Sequence, residues 1–339
     1  MKKILIAGSM NNAEVYEKPL INGFKKNYCL VKGFKIYDKF PINFFTFHRY
    51  ILHTRLRCSY FLQKKNNQLI DELNTFKPNI LILWRTTTIL PETISIIKNK
   101  YPSIKILIYH NDNPYSGLLN RFKYRHYLNS ICLADISVVY RPSDFNDIKK
   151  FKPKKVKLLK PNYISYLHKP KNIKKSIDVV FIGHFTTDRE KILDDLYEKK
   201  ILFEVYGPGW FKLKNKKKWS QNIKLKNLYG KEYANKISQS KIAIGLLSTK
   251  NKDVYTRRCF EITACKTMLI APKTKELKKI YKENYEAVFW NHKNQIASKI
   301  IKYLQDLKNL NKITNAGHKR VKKDLHSEVS RAKEILSWF

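Results

Sequence analysis

Two short apolar runs, each ending in glycine, constrain what this chain can fold into more than any other feature. Residues 3–9 (KILIAGS) and 177–184 (IDVVFIGH) are both rich in β-branched side chains and stop at Gly8 and Gly183. A strand buried in a parallel sheet ends in this way when the chain turns toward a helix. The near-repeat, about 175 residues apart, predicts two similar α/β halves. Between the runs the periodicity alternates. It predicts strands at 79–83, 105–109 and 136–140 and helices near 63–75, 91–99 and 119–134 in the first half. In the second half it predicts strands at 202–206, 242–246 and 268–271, with helices near 189–199 and 233–240, around Arg258, and after 276 and 295. Strands alternating with helices imply βαβ units and parallel sheets.

The length agrees with two halves, because a chain of 339 residues exceeds what one core usually serves. A Pro- and Lys-rich stretch at 151–175 reads as the connection. The expected organisation is therefore a first domain over 1–165, a second over 176–325, and a C-terminal helix over 326–339 that returns to the first. The longest apolar runs are strand-sized, too short to cross a bilayer as a helix. The N-terminal lysines precede an apolar stretch too short for a secretion signal. The five cysteines, Cys29, Cys58, Cys132, Cys259 and Cys265, are scattered and odd in number, which points to reduced thiols and a cytoplasmic setting.

Charge is the outlying property: 68 basic against 27 acidic residues give a formal net charge of +41. Residues 149–175 hold eleven lysines and no acid, and residues 212–231 hold eight lysines and no acid. Such stripes suit an anionic membrane face, nucleic acid or a polyanionic substrate. Against nucleic acid, only twelve of the 68 basic residues are arginine, the side chain that reads base edges bidentately. The excess of Lys, Asn and Ile is also what a bias toward AT-rich codons would leave.

In open α/β sheets ligands bind beyond the carboxyl ends of the strands. The chemically suggestive residues cluster at those ends: Gly8-Ser9, His110-Asn111-Asp112, Gly183 to Arg189, Gly207-Pro208-Gly209, and the turn before Arg258. The segment 254–265 (VYTRRCFEITAC) places Arg258 and Glu261 one helical turn apart, so that both would face the same way. A guanidinium and a helix N-terminus can hold phosphate oxygens, and a carboxylate one turn further in can accept from two ribose hydroxyls. An ordinary exposed ion pair is the alternative reading.

These residues resemble the C-terminal domain of GT-B glycosyltransferases, nearest the CgeB-like proteins and the family 1 and family 4 type transferases. The resemblance rests on DVVFIGH followed by Asp188-Arg189, on FEVYGPGW at 203–210, on T-x-R-x-F-E-I-x-A-C at 256–265, and on a closing helix with Arg331 and Ala332. It covers about half the chain, roughly 178–339; the first half matches mainly in layout. It implies a GT-B fold, two Rossmann-like domains facing each other across a cleft, with a nucleotide-sugar donor site in the second. Glu261 would contact the donor ribose, Thr256 and Arg258 would lie at the donor, and Arg189 would face phosphate. Gly183 and Gly207 would let backbone approach the donor closely. Asp253 stands eight positions before Glu261, where retaining members carry a second carboxylate, usually Glu. A loop-capping role accounts for Asp253 equally well. The family usually has Gly after Ala-Cys, whereas Lys266 stands here, so the backbone at that point would be less able to approach the ligand.

For catalysis, Asp112 is the best-placed candidate base in the first half, beside His110, with Gly8 and Ser9 on the same acceptor side. An Asx turn before Pro114 explains the same residues. No histidine follows the first strand, so front-face attack with retention is slightly favoured, the enzyme supplying phosphate electrostatics through Arg189 and Arg258. No metal or other cofactor is expected, since no DxD-type site is evident and Asp194-Asp195 falls within a predicted helix. The expected partners are a nucleotide sugar, a glycan or lipid-linked acceptor, and an anionic membrane surface. Two rival readings are a basic nucleic-acid-binding protein, with Trp210, Phe211 and Trp219 near lysines, and a nucleotide-sugar epimerase of the same fold.

Overall fold

The computed structural model describes residues 1–10, 16–36, 56, 60–213, 221–224 and 226–339. They divide into two units, Met1–Lys160 with Arg331–Phe339, and Pro161–Ser330. Each is built on one six-stranded sheet, and every strand pair is parallel. Cys58 and Trp219 lie outside the described residues, as does part of the 212–231 lysine stripe.

In the first unit the strands are β1 (Lys3–Gly8), β2 (Leu30–Lys35), β3 (Ile80–Trp84), β4 (Lys105–Tyr109), β5 (Ile136–Val139) and β6 (Val156–Leu158). Their spatial order is β2-β1-β3-β4-β5-β6, so the sheet grows one way from β1 to β2 and then the other way from β3 onward. β3 is buried along its whole length, as expected of a strand covered on both faces. Leu69 and Leu73 from the helix Tyr60–Phe76 and Ile94 and Ile97 from the helix Pro91–Lys100 pack in the core around Leu81, Leu83, Ile106 and Ile108. Residues 331–339 close this unit, where Lys155 Nζ donates to the Trp338 carbonyl at 2.9 Å.

The second unit has β7 (Ile177–Ile182), β8 (Phe203–Tyr206), β9 (Ile223–Lys224), β10 (Ser240–Ile244), β11 (Met268–Pro272) and β12 (Val288–Trp290), in the order β12-β11-β10-β7-β8-β9. This is the doubly wound dinucleotide-fold order, and its topological switch lies between β7 and β10. The helices Thr187–Glu198 and Arg257–Ala264 leave these two neighbouring strands. Both helices therefore begin at the carboxyl edge of the switch.

Three expectations need correction. The helix expected over 119–134 is two short ones, Gly117–Lys123 and Arg125–Asn129, separated at Tyr124, whose buried ring packs among the core residues of the first unit. The 151–175 stretch is not simply a connector. Val156 and Leu158 pair with β5 as the last strand of the first sheet, while Lys175 is drawn into the second unit. There its ammonium donates to the Ser238 and Ser240 carbonyls and to Thr267 Oγ1 at 3.2, 2.7 and 3.0 Å, and burial lowers its pKa to about 8. Finally, Lys266 does not stand near the carboxyl edge. It follows the C-terminus of the helix Arg257–Ala264 with φ of 57°, on the side where β11 begins.

That position closes the helix: Lys266 N–H donates to the Thr263 carbonyl and Thr267 N–H to the Ile262 carbonyl. The left-handed conformation there favours glycine and costs a side-chain-bearing residue about 1 kcal/mol. Lys266→Gly is thus expected to raise the melting temperature by about 2–4 °C, measured by calorimetry.

Candidate functional site

The carboxyl edge of the second sheet is fixed by a backbone contact. Gly183 N–H donates to the Tyr206 carbonyl at 2.8 Å, and Gly207 has φ of 124°. A Cβ on Gly207 would stand 2.3 Å from the Gly183 oxygen, so only glycine fits. Trp210, almost completely buried, donates from Nε1 to that same oxygen at 2.8 Å, and Phe185 N–H donates to the Pro208 carbonyl at 2.9 Å. The turn after β8 thereby holds the loop after β7 in place.

That loop leads into the helix Thr187–Glu198, capped by Thr186, whose hydroxyl accepts from Arg189 N–H. The Arg189 guanidinium folds back, donating to the His184 carbonyl at 2.8 Å and lying over the Phe181 ring. Arg258 approaches from the other helix: its Nη2 lies 3.3 Å from where a Cβ on Gly183 would stand. Desolvation and the neighbouring Arg258 charge lower the pKa of Arg189 to about 10, while Asp253 works the other way. His184 is pushed down by desolvation and by Arg258 and Arg189. Two arginines and two helix N-termini therefore concentrate positive potential at the switch point, where it disfavours the charged form of His184, with Asp253 as the nearby carboxylate. Asp253 N–H donates to the Ser248 carbonyl at 3.0 Å, and Thr256 takes the extended N-cap conformation without a side-chain capping bond.

Glu261 is only 2 % exposed, and its ion-pair partner differs from the expected one. Arg257, not Arg258, closes on it, with Nη2 2.7 Å from Oε1. The i,i+4 spacing places Arg257 over the carboxylate, while the Arg258 guanidinium reaches Gly183. The Tyr233 hydroxyl donates to Glu261 Oε2 at 2.8 Å. Burial acts to raise the Glu261 pKa, but Arg257, His168, Tyr233 and Arg258 together outweigh it and hold the carboxyl below its usual range. His168 comes from the segment preceding β7. Its Nδ1 accepts from Ile164 N–H at 2.9 Å, and burial lowers its pKa to about 4.

In the first unit the strand ends are engaged internally. Glu17, buried, accepts from both Ser9 N–H and Ser9 Oγ, and a Cβ on Gly8 would meet its side chain at 2.7 Å. His110 is buried edge-on against Tyr124 and Tyr127, and its Nδ1 accepts from Asp112 N–H at 3.1 Å. The Asx turn before Tyr115 belongs to Asn113, whose Oδ1 accepts from Tyr115 N–H, while Asp112 Oδ2 accepts from the Tyr124 hydroxyl at 3.2 Å. Arg141 is buried, pairs with Asp144 and donates to the Asn111 carbonyl. Arg85, just past β3 with φ of 56°, lies over the Tyr16 ring at 3.8 Å and donates to Asn111 Oδ1 at 2.5 Å. Among the described residues, no three His, Cys, Asp or Glu side chains gather into a metal cage.

Residues 189–337 match a family model described as glycosyl transferase-like. Sucrose-phosphate synthase from Thermosynechococcus elongatus superposes with a TM-score of 0.73 at 12% identity, covering 100% of this chain and 98% of the other. Anabaena HepE in complex with UDP-glucose gives 0.68 at 10% identity, covering 100% of each. A candidate UDP-N-acetylglucosamine 2-epimerase from Listeria monocytogenes gives 0.58 at 10%, covering 98% of this chain and 94% of the other. Among curated proteins none matches in sequence. Residues 189–337 are thus similar to a glycosyl transferase-like domain, and the fold is that of GT-B proteins.

Within this GT-B chain, sequence reasoning found Gly183, Gly207, Arg189, Arg258 and Asp253, and the structure brings them to one edge. Glu261 belongs to a buried group that the sequence did not reveal, with Arg257, Tyr233 and His168, and Arg258 acts on it as well. Arg257 was legible in principle, since i,i+4 pairs as readily as i,i+3. Tyr233 and His168 lie 28 and 93 positions from Glu261 in the chain, so no local spacing signals them. Arg85 and Arg141 were also missed, although Arg85 directly follows β3 and Arg141 comes two residues after the end of β5.

Gly207→Ala would force a clash and a strained φ, and is expected to destabilise the second unit by about 2–4 kcal/mol in urea unfolding. The His168 pKa of about 4 lies below its ordinary 6.5, so the unfolded chain binds more protons between these values. Stability should therefore fall as pH drops from 6.5 toward 4. A His168→Gln variant should lose up to about 3 kcal/mol less over that window, read from denaturant midpoints at each pH.

Proposed function

We propose that this chain is a nucleotide-sugar-dependent glycosyltransferase with its donor site at the switch point of the second unit. The observation that carries the reading is the meeting of Arg189, Arg258 and two helix N-termini at one sheet edge, within the segment matched by the glycosyl transferase-like model. Anions are stabilised by aligned N–H groups and dipoles at such ends. The donor diphosphate would lie on the two arginines against Gly183, and Glu261 would accept from the ribose hydroxyls. Asp253, which acts on Arg189, would stand near the donor sugar.

In the reaction, the bond from the anomeric carbon to the phosphate oxygen breaks and negative charge builds on the departing diphosphate. Arg189 and Arg258 offset that charge without a metal ion. With no histidine after the first strand, we favour front-face attack: the acceptor hydroxyl attacks on the side the diphosphate leaves, its proton passes to the leaving oxygen, and configuration is retained. Asp112, beside His110, is the alternative base on the acceptor side and would serve an inverting reaction. The acceptor would be a hydroxyl of a cell-surface glycan or lipid-linked precursor, and the lysine stripes would hold the enzyme at an anionic cytoplasmic membrane face. The likeness to a candidate epimerase keeps a second chemistry in view, one that interconverts donor sugars without an acceptor.

The test is thermal stabilisation by a panel of UDP-, GDP-, ADP-, dTDP- and CMP-linked sugars. One nucleotide class is expected to raise the melting temperature. Arg258→Ala should weaken its binding about 10- to 100-fold, and Glu261→Gln should weaken it while remaining folded. Absence of a shift with every donor would refute the reading, and conversion of the donor sugar to its epimer without acceptor would favour the second.

A further inference from the structure

The helix Gly117–Lys123 has no buried residue, yet its two ends are fastened to the first unit. Tyr115 and Tyr124 on either side are buried, Asn120 Nδ2 donates to Ser116 Oγ at 2.9 Å, and Arg121 Nε donates to the Tyr115 carbonyl at 3.2 Å. The helix is therefore a held projection. It begins at Gly117, whose φ of 68° turns the chain outward and around whose Cβ position nothing lies within 4 Å. What it presents is apolar: Leu118 is 84 % exposed, Leu119 88 % and Phe122 50 %. Two adjacent leucines left almost entirely in water are unusual for a folded surface, and such patches mark interaction sites.

Cations surround this apolar tip. Arg121 and Lys123 are exposed on the same helix, and the Arg125 guanidinium lies over the Phe122 ring at 4.4 Å. Residues 113–134 contain no Asp or Glu, so no carboxylate of the segment offsets them. Protruding leucines and a phenylalanine ringed by arginine and lysine match an interface whose outer layer is anionic and whose interior is hydrocarbon. No described helix is long and apolar enough to span a bilayer, so the contact would be superficial.

We infer that the helix Gly117–Lys123 is an interfacial anchor that inserts Leu118, Leu119 and Phe122 into an anionic lipid surface, with Arg121, Lys123 and Arg125 on the headgroups. This surface differs from the lysine stripes, and the inference stands apart from the donor-site reading. Lysine stripes act by charge alone, whereas an inserted helix also depends on uncharged side chains.

A charge-neutral variant separates the two. The full chain is floated with vesicles of phosphatidylcholine alone and of phosphatidylcholine mixed with phosphatidylglycerol. Wild type is expected to bind the mixed vesicles and to retain part of that binding at high salt. Leu118→Ser with Leu119→Ser, which leaves net charge unchanged, should lower partitioning about tenfold or more. Both side chains lie in water, so the variant should melt as wild type does and keep any nucleotide-sugar stabilisation. Binding undiminished in the double variant would assign lipid attraction to the lysines at large and overturn the proposal. So would no vesicle binding by wild type, or a wild-type dimer in light scattering that the variant abolishes.

Discussion

The second unit depends on a contact between two backbones that no side chain can replace. Gly207 lies so close to the Gly183 carbonyl that even a methyl group would overlap it, and Trp210 donates a hydrogen bond to that same oxygen. The consequence runs outward. With the turn after β8 pressed on the loop after β7, residues 183–186 have one path, and the helix from Thr187 starts at a fixed place. Arg189 can then reach back to the His184 carbonyl only because that carbonyl is held. A pair of glycines thus positions a guanidinium several residues away, which a flexible loop could not do with comparable precision.

Electrostatics at this edge run against folding and toward binding. Arg258 disfavours the charged forms of Arg189 and His184, Arg189 disfavours that of His184, and Asp253 offsets part of the effect on Arg189. An isolated protein gains nothing from such an arrangement. A bound dianion would relieve it, and anything that binds only the folded state stabilises that state. The Glu261 group has the opposite character: Arg257 offsets the charge at Oε1 and Tyr233 donates to Oε2, although Oε1 itself accepts no hydrogen bond among the described residues. Arg258 acts on both groups, lowering the pKa of His184 and of Glu261. If the proposed donor diphosphate binds at this edge, Arg258 is the side chain through which its charge would be felt at the buried carboxylate.

What the sequence disclosed follows from where each strand lies. The eight inner strands, buried on both faces, read as apolar runs and were found. The four outermost, β2, β6, β9 and β12, were not. β6 is Val-Lys-Leu and β9 is Ile-Lys, too short and too lysine-bearing to stand out from surrounding loop. Edge strands blunted with lysine avoid pairing with other chains, so the feature that hides them from a reader also protects them. The helix break at Tyr124 was hidden for a related reason. A helical hydrophobic pattern continues through 119–134, but Tyr124 and Tyr127 are anchors into the core and Leu118, Leu119 and Phe122 point away from it. Pattern alone does not distinguish apolar residues that pack from apolar residues left outside. Lys266 shows the converse: its departure from the usual glycine drew attention to the ligand edge, whereas its effect is local strain at the far end of a helix.

The fold by itself leaves the chemistry open, since transferases and a candidate epimerase superpose on this chain at similarly low identity. In the proposed reaction the acceptor would lie at the first unit, and much of that unit's carboxyl edge is already engaged internally. Ser9 is held by Glu17, Arg141 by Asp144 and the Asn111 carbonyl, and His110 is buried between tyrosines. Asp112 and Arg85 remain partly exposed on that edge, one a carboxylate sharing a hydrogen bond with Tyr124 and the other a guanidinium braced on Tyr16. A residue whose conformation is over-determined by its neighbours serves better to position an acceptor than to exchange protons with it. Arg85, kept at a left-handed φ by its setting, is such a residue. Asp112 is the less constrained of the two: among the described residues at these strand ends it is a carboxylate that is neither buried nor paired with arginine, and the proposed acceptor hydroxyl would meet it there.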